Sequence, residues 1–205
     1  MTLFPMFVKL DGKLVVVIGG GAIAQGKIES LLSAGARVRV IAPQVTAQIA
    51  EWVRFRKVEW LPKAFAAGDL ADATLAIAAT SAPGVNGAVF AEAEARKIFC
   101  NAVDDIENCH FYYGAVVQRG DLQIAISTNG KSPALAQRLR LQLEKRFGPE
   151  YELWLAWLGA ARDLLRAGEG TAESKKVLLH HLASAPMFER FLQEARKQRT
   201  GQGAA

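Results

Sequence analysis

Residues Lys13 to Pro43 constrain this chain more than any other stretch. They run Lys-Leu-Val-Val-Val-Ile, then Gly19-Gly20-Gly21-Ala22-Ile23-Ala24, then a helical segment to Ala34, then Gly35-Ala36-Arg37-Val38-Arg39-Val40-Ile41-Ala42-Pro43. An apolar run of strand length, a glycine turn, an amphipathic helix stopped by a glycine and a second apolar run make a βαβ unit. Its size, about thirty residues, is what a right-handed crossover between parallel strands requires. Gly19, Gly21 and Ala24 fit G-x-G-x-x-[GA]. In that pattern the first glycine permits the tight turn and the second lets backbone approach a pyrophosphate. The small third residue lets helix pack on strand, and the helix N-terminus faces the phosphates.

The same grammar continues. Leu14 to Ile18 is unbroken apolar, as expected of a strand covered on both faces. Ala47 to Arg54 is helical in character, Val58 to Leu61 and Leu75 to Ala79 are strand-like, Val85 to Lys97 is helical, and Ile98 to Asn101 is a short buried strand. Alternating β and α segments predict an α/β fold, a Rossmann-type doubly wound parallel sheet with its ligand beyond the carboxyl ends of the strands. Ahead of this, Phe4 to Leu10 alternates loosely and predicts a short antiparallel strand, turned by Asp11-Gly12.

After Asp104 the pattern changes. His110 to Val117 and Leu122 to Ser127 are β-rich and separated by Gln118-Arg119-Gly120-Asp121, a hairpin signal. Ser132-Pro133 opens a helix to about Arg146, stopped by Gly148-Pro149. Tyr151 to Ala167, Ala172 to Ala183 and Met187 to Arg199 are helical, broken by Gly168-Glu169-Gly170 and by Pro186, and Gly201 to Ala205 is expected to fray. The expected division is a nucleotide-binding domain over 1–113, a small α+β segment over 114–147 and a C-terminal helical domain over 148–205.

Bulk properties narrow the function. The chain is 51% hydrophobic and 22% charged with a mean hydropathy of +0.11, values of a soluble globular protein, and nowhere do eighteen apolar residues run together. No basic, apolar leader opens the chain, so a cytoplasmic location without a membrane span is expected. The net charge of +5 fits a solvated basic surface or a small polyanionic ligand, and no nucleic-acid motif accompanies it. Cys100 and Cys109 form no CxxC, and no histidine stands at metal-ligand spacing, so no disulfide framework and no resident metal site is expected.

Three features beyond the glycine turn can carry chemistry. Asp104-Asp105 follows the last strand of the sheet, where a carboxylate suits a general base; a solvated turn explains the same pair. Thr128-Asn129-Gly130-Lys131-Ser132 links a strand to a helix start and offers N–H groups, hydroxyls and an ammonium to a carboxylate, although capping alone accounts for Ser132. The acidic residue that usually binds a ribose 2′-hydroxyl is missing near Ala42-Pro43-Gln44, which leaves Gln44 or backbone for that task. Arg37 and Arg39 lie too early in the strand to clamp an NADP phosphate, so NAD is favoured.

Taken together, these residues resemble a known family, the precorrin-2 dehydrogenases, which form the N-terminal module of sirohaem synthases and often act as sirohydrochlorin ferrochelatases. The run Gly19 to Lys27 with Leu31 to Pro43 is similar to its first signature. Asn101-Ala-Val-Asp104, Asn108-Cys109-x-Phe111 and Arg119 to Ala136 are similar to its second, in order and spacing. The resemblance implies a homodimer that oxidises the tetrapyrrole precorrin-2 to sirohydrochlorin with NAD, in many members followed by insertion of Fe2+ or, in related pathways, Co2+. It implies that Asp104 is the base, that Ala22, Ile23, Pro43, Gln44 and Thr80 contact NAD, and that Thr128 stands where some relatives carry a phosphorylatable serine. Gly114 replaces a usual proline and Gly26 a usual arginine. On the residues alone, a non-catalytic NAD-binding sensor module stays open as the alternative.

Overall fold

The computed structural model describes residues 3–201. The chain forms two compact units, Met1–Tyr113 and Gly114–Ala205. In the first, strands β1 (Leu14–Ile18), β2 (Arg37–Ile41), β3 (Val58–Leu61), β4 (Leu75–Ala78) and β5 (Phe99–Ala102) make one parallel sheet in the order β3-β2-β1-β4-β5. Helices α1 (Ala22–Ser33), α2 (Ala47–Arg54) and α3 (Val85–Arg96) connect them.

Strand β1 shows why the sheet is covered twice. Its five residues are all buried, but they divide by parity. Val15 and Val17 join Ala24, Ile28, Leu31 and Ile49 of α1 and α2, whereas Leu14, Val16 and Ile18 join Val89 and Ala93 of α3. Period-two alternation sends neighbours to opposite faces, so an apolar run without polar interruptions needs helices on both. Each fully buried valine or isoleucine contributes roughly 1.5–3 kcal/mol. Helix α2 starts where Thr46 Oγ1 accepts the Ile49 N–H at 3.3 Å.

The second unit opens with an antiparallel hairpin, β6 (Ala115–Arg119) and β7 (Leu122–Ile126), paired Arg119 to Leu122 across a two-residue turn. Gly120 takes φ +54 at the first turn position, where glycine is the usual occupant of a tight hairpin. Helices α4 (Pro133–Arg146), α5 (Glu150–Ala167), α6 (Ala172–Leu182) and α7 (Ala185–Gly201) follow. The Arg119 guanidinium donates to the carbonyls of Phe147 at 2.8 Å and Glu144 at 3.1 Å, tying the hairpin to the C-terminal end of α4. The rings of Tyr151, Trp154 and Phe188 join α5 to α7, with Trp154 and Phe188 centroids 4.5 Å apart.

Four expectations need correction. Residues 3–10 form no strand: Pro5 lacks a donor, and Phe4, Met6, Phe7 and Val8 lie exposed, so that only the turn survives, with the Lys13 N–H on the Leu10 carbonyl at 2.9 Å. The hairpin begins at Ala115 and not at His110, because the His110 N–H is taken by the Cys100 carbonyl at 2.8 Å. Pro186 does not separate helices; it sits in the first turn of α7, where its missing donor costs nothing. On α5, an expected apolar stripe of Trp154, Trp157, Leu158, Ala161, Leu164 and Leu165, read from their helical spacing as core packing, divides: Trp154, Leu158, Ala161 and Leu165 are half-buried while Trp157 is 37% and Leu164 75% exposed. Of the expected frayed tail, residues 202–205 lie outside the described residues. No helix of the described residues is long and apolar enough to cross a membrane.

Candidate functional site

The carboxyl edge of the parallel sheet gathers the turns that follow β1, β2, β4 and β5. Strand order reverses between β1 and β4, which makes that point the topological switch of the sheet and its natural crevice. Gly19 leaves β1 with φ +119, and a Cβ built there would stand 2.1 Å from the Ala79 carbonyl oxygen. A Cβ on Gly20 would stand 2.1 Å from the Gln44 carbonyl oxygen. The turn is thus wedged between the segments leaving β4 and β2, and neither side tolerates a side chain. Gly20 falls on an unconstrained position of the fingerprint, so the pattern alone does not reveal its role.

Gly21 is different. Nothing lies within 4 Å of a Cβ placed on it, and as N-cap of α1 it makes no side-chain capping bond. The first turn of α1, Ala22, Ile23 and Ala24, therefore presents backbone donors beside open space, with Ile23 54% exposed and Ala24 buried against the sheet. An uncapped N-terminus without acidic residues in its first turn fits an anionic phosphate and would repel nothing from one. These residues fit a dinucleotide.

The β2 turn is held against this one. Thr46 donates its N–H to the Gly20 carbonyl at 2.9 Å and its hydroxyl to Gln25 Oε1 at 2.8 Å. Pro43 and Gln44 are exposed just past β2, and Thr80 lies past β4, its Oγ1 accepting the Ala82 N–H at 3.1 Å. Arg39 is not available as a phosphate clamp, because it pairs with Glu59 at 2.9 Å within the sheet.

Asp104 follows β5 on an exposed turn, in the left-handed region at φ +59, a conformation that Asp tolerates better than most residues. The turn is anchored from below. Asn101, buried, donates from Nδ2 to the Phe111 carbonyl at 2.8 Å and to Cys109 Sγ at 3.4 Å, and Cys109 Sγ donates to the Ala102 and Asp105 carbonyls. Asp105 spends its carboxylate on Asn108 Nδ2 at 2.7 Å, which separates the two aspartates by role.

Lys27 closes the first signature, but motif reasoning gives it no task. One turn into α1, its ammonium sits 3.5 Å from the centroid of the Tyr113 ring. Burial lowers it below the ordinary lysine value, and the nearby Asp104 carboxylate partly restores it. The Tyr113 phenol, on a residue still 41% exposed, is pushed up to about 12 by burial, so the ring under the cation stays neutral. Periodicity marks Lys27 only as a polar position on α1.

In the second unit, Thr128 to Ser132 forms a closed loop. Thr128 Oγ1 donates to the Ser132 carbonyl and accepts its N–H, both at 3.1 Å, while Asn129 and Gly130 take φ +54 and +75. Ser132 Oγ accepts the Leu135 N–H at 3.2 Å and caps α4, and Lys131 is exposed. Of the two departures from the resembled family, Gly26 faces open space, but a Cβ on Gly114 would stand 2.9 Å from the Ile126 carbonyl oxygen. Among the described residues no group of three or more His, Cys, Asp or Glu is arranged to hold a metal.

A family model described as putative NAD(P)-binding matches residues 6–115. The chain belongs to that family. A second model, described as sirohaem biosynthesis protein central, matches residues 119–146, from the end of β6 through β7 and α4. The chain is similar to siroheme synthase 3 of Aeromonas hydrophila, 36% identical over 82% of this chain and 36% of the relative. It is also similar to siroheme synthase of Xylella fastidiosa, 36% identical over 99% of this chain and 42% of the relative. A siroheme synthase of Neisseria meningitidis serogroup C is 41% identical over 82% of this chain. The chain spans about two fifths of the length of these relatives, 36% to 42%. A solved structure, SirC, precorrin-2 dehydrogenase, superimposes with a TM-score of 0.78 at 28% identity, covering 95% of this chain and all of that one. The NAD(P)-binding family therefore takes in the whole crevice, from Gly19 to Asp104.

Proposed function

We propose that this chain oxidises precorrin-2 to sirohydrochlorin with NAD as hydride acceptor, in the formation of sirohaem or a related tetrapyrrole. The observation that carries the reading is the shared sheet edge. An open, uncapped α1 N-terminus over Gly21 and a carboxylate on the turn after β5 occupy the same crevice. The likeness along the full length of SirC, precorrin-2 dehydrogenase, supports it.

NAD, when bound, supplies the ring that accepts the hydride. The chain's own part is to bind and orient. Gly19, Gly21, Ala22, Ile23 and Ala24 bring backbone to the pyrophosphate, and Pro43, Gln44 and Thr80 line the turns on either side. Asp104 takes the proton that leaves with the hydride, a role worth on the order of 10² to 10⁴ in rate for a single acid–base group. With Arg39 engaged by Glu59 and no Lys or Arg in the Ala42-Pro43-Gln44 segment that follows β2, NAD suits this site better than NADP.

Thr128, Asn129, Gly130, Lys131 and Ser132 receive the substrate's carboxylates in this reading, and the overall charge of +5 assists them. The reading further makes the chain a cytoplasmic homodimer. The two-stranded β6–β7 ribbon is marginal by itself, with Val116 42% exposed, and Leu135 and Leu141 of α4 are 48% and 46% exposed. A three-domain division at 113/114 and 147/148 is proposed with it.

Anaerobic mixing of the protein, NAD and precorrin-2 tests the activity. Sirohydrochlorin absorbance should rise with NADH formation, and Asp104→Ala should slow it by about 10² or more. Turnover unchanged in Asp104→Ala would sink the assignment of the base. Stoichiometric NAD binding without precorrin-2-dependent NADH formation would favour a sensor module. Fe2+ or Co2+ added afterward, as substrate, reads whether metal insertion follows.

A further inference from the structure

The turn that carries Asp104 leaves β5 and then returns along it. Strand β5 is the outer strand of the sheet, so backbone groups on its far side have no neighbouring strand to take them. Cys100 is fully buried there, where an unpaired N–H would be costly. Both of its backbone groups are taken by one residue. The Cys100 N–H donates to His110 Nδ1 at 2.9 Å, and the Cys100 carbonyl accepts the His110 N–H at 2.8 Å. Next to this pair, Asn101 and Cys109 form an isolated antiparallel bridge. Asp104 therefore sits in a closed loop, and the neck of that loop is the pair Cys100–His110.

The His110 ring is itself held on its other sides. Because Nδ1 accepts a backbone N–H it carries no proton, so the proton of the neutral imidazole is on Nε2, which donates to the Glu94 carboxylate. Phe90 stacks on the ring at a centroid distance of 4.7 Å and an interplanar angle of 24°, and Phe99 meets it edge-on at 6.0 Å. Phe90 and Glu94 are i,i+4 neighbours on α3, so one face of that helix fixes both the plane of the ring and its tautomer.

We propose that His110 is a positioning residue for Asp104: by taking the Cys100 N–H on its ring it closes the neck of the loop and so sets where the carboxylate stands in the crevice. This rests on the dehydrogenase reading above, in which Asp104 is the base. Displacing a reacting group by about 1 Å can cost on the order of 10²-fold in rate, so a loop neck away from the chemistry suffices to control turnover.

The test separates the two ring nitrogens. Asn at position 110 places its amide oxygen near where Nδ1 stands and can accept the Cys100 N–H, whereas Gln places its polar atoms nearer Nε2 and reaches Glu94 instead. His110→Asn, His110→Gln, His110→Leu and Asp104→Asn are compared in anaerobic precorrin-2 turnover, with NAD binding followed by quenching of protein fluorescence. Amide hydrogen exchange at Cys100 is read in the same proteins without substrate. Expected in His110→Leu and His110→Gln are a kcat lowered about tenfold or more and a Cys100 amide that exchanges at least about tenfold faster, with the NAD dissociation constant within about twofold of the parent. His110→Asn should recover most of both losses. Ile49→Val, a core change on the α1–α2 face of the sheet, is the stability control and should keep the parent kcat. Where His110→Leu does not fold, the contrast between Asn and Gln carries the test. If Asp104→Asn turns over like the parent, the reading of Asp104 as base fails. If Asp104→Asn is impaired while His110→Leu keeps its kcat, the His110 proposal alone is overturned. Equal kcat in His110→Asn and His110→Gln, or Cys100 exchange that is indifferent to His110, overturns it equally.

Discussion

At the scale of single residues, the crevice is built by exclusion as much as by attraction. Gly19 and Gly20 are each hemmed in by a carbonyl that a methyl group would strike, while Gly21 faces open space, so adjacent glycines serve different ends. Beneath the site, Cys100 is fully buried in β5, and burial, with Cys109 adding to it, pushes its thiol from 9.0 up to about 12. The sign of the linkage follows. Between pH 9 and about 12 the unfolded chain has released this proton while the folded chain keeps it, so the unfolded state binds fewer protons and stability falls as pH rises. The stabilisation is complete below the unfolded value and lost through the folded one. Denaturant midpoints taken from neutral pH to about pH 11 should decline in the parent and decline less steeply in Cys100→Ala. Equal slopes would show that this thiol is not what makes the fold alkali-sensitive.

At the scale of elements, helix ends decide what each loop is free to do. Helix α1 has no side-chain cap, and its donors face the crevice. Helix α4, by contrast, is capped by Ser132, whose Oγ takes the Leu135 N–H at 3.2 Å with Pro133 behind it at the first helical position. Ser132→Ala should cost about 1 kcal/mol in urea unfolding and Ser132→Thr much less. If the hydroxyl serves only as a cap, kcat/KM for precorrin-2 will be unaffected by either change. A loss of turnover well beyond the loss of stability would give it a part in holding substrate. The elements themselves were largely legible beforehand: β1, α2 and β3 lie where periodicity and capping predict, because those signals are local. The failed strand over residues 3–10 is instructive, since alternation promises only a face. Without a neighbouring strand to supply hydrogen bonds, and with Pro5 short of a donor, it stays irregular.

At the scale of the whole molecule, the second unit exposes apolar surface that its own helices do not cover, on β6, α4 and α5. A chain of 22.2 kDa that dimerises through the β6–β7 ribbon should sediment at about twice that mass, and Val116→Asp should return it to the monomer. A monomeric parent in the ultracentrifuge would end the homodimer proposal. The sequence by itself determined the doubly wound sheet, the glycine turn and the carboxylate after the last strand. Each depends on residues a few positions apart, whose periodicity and turn chemistry act within one element. Only the tertiary structure decided that Gly20 must be glycine, that Asn101 fastens the aspartate turn to Phe111, and that Lys27 meets Tyr113. The Gly20 and Lys27 contacts join segments far apart in the chain, whereas Asn101 and Phe111 are ten residues apart across an irregular turn. Which distant segments meet is fixed by the order in which the crossovers stack the strands, and no local pattern encodes that order.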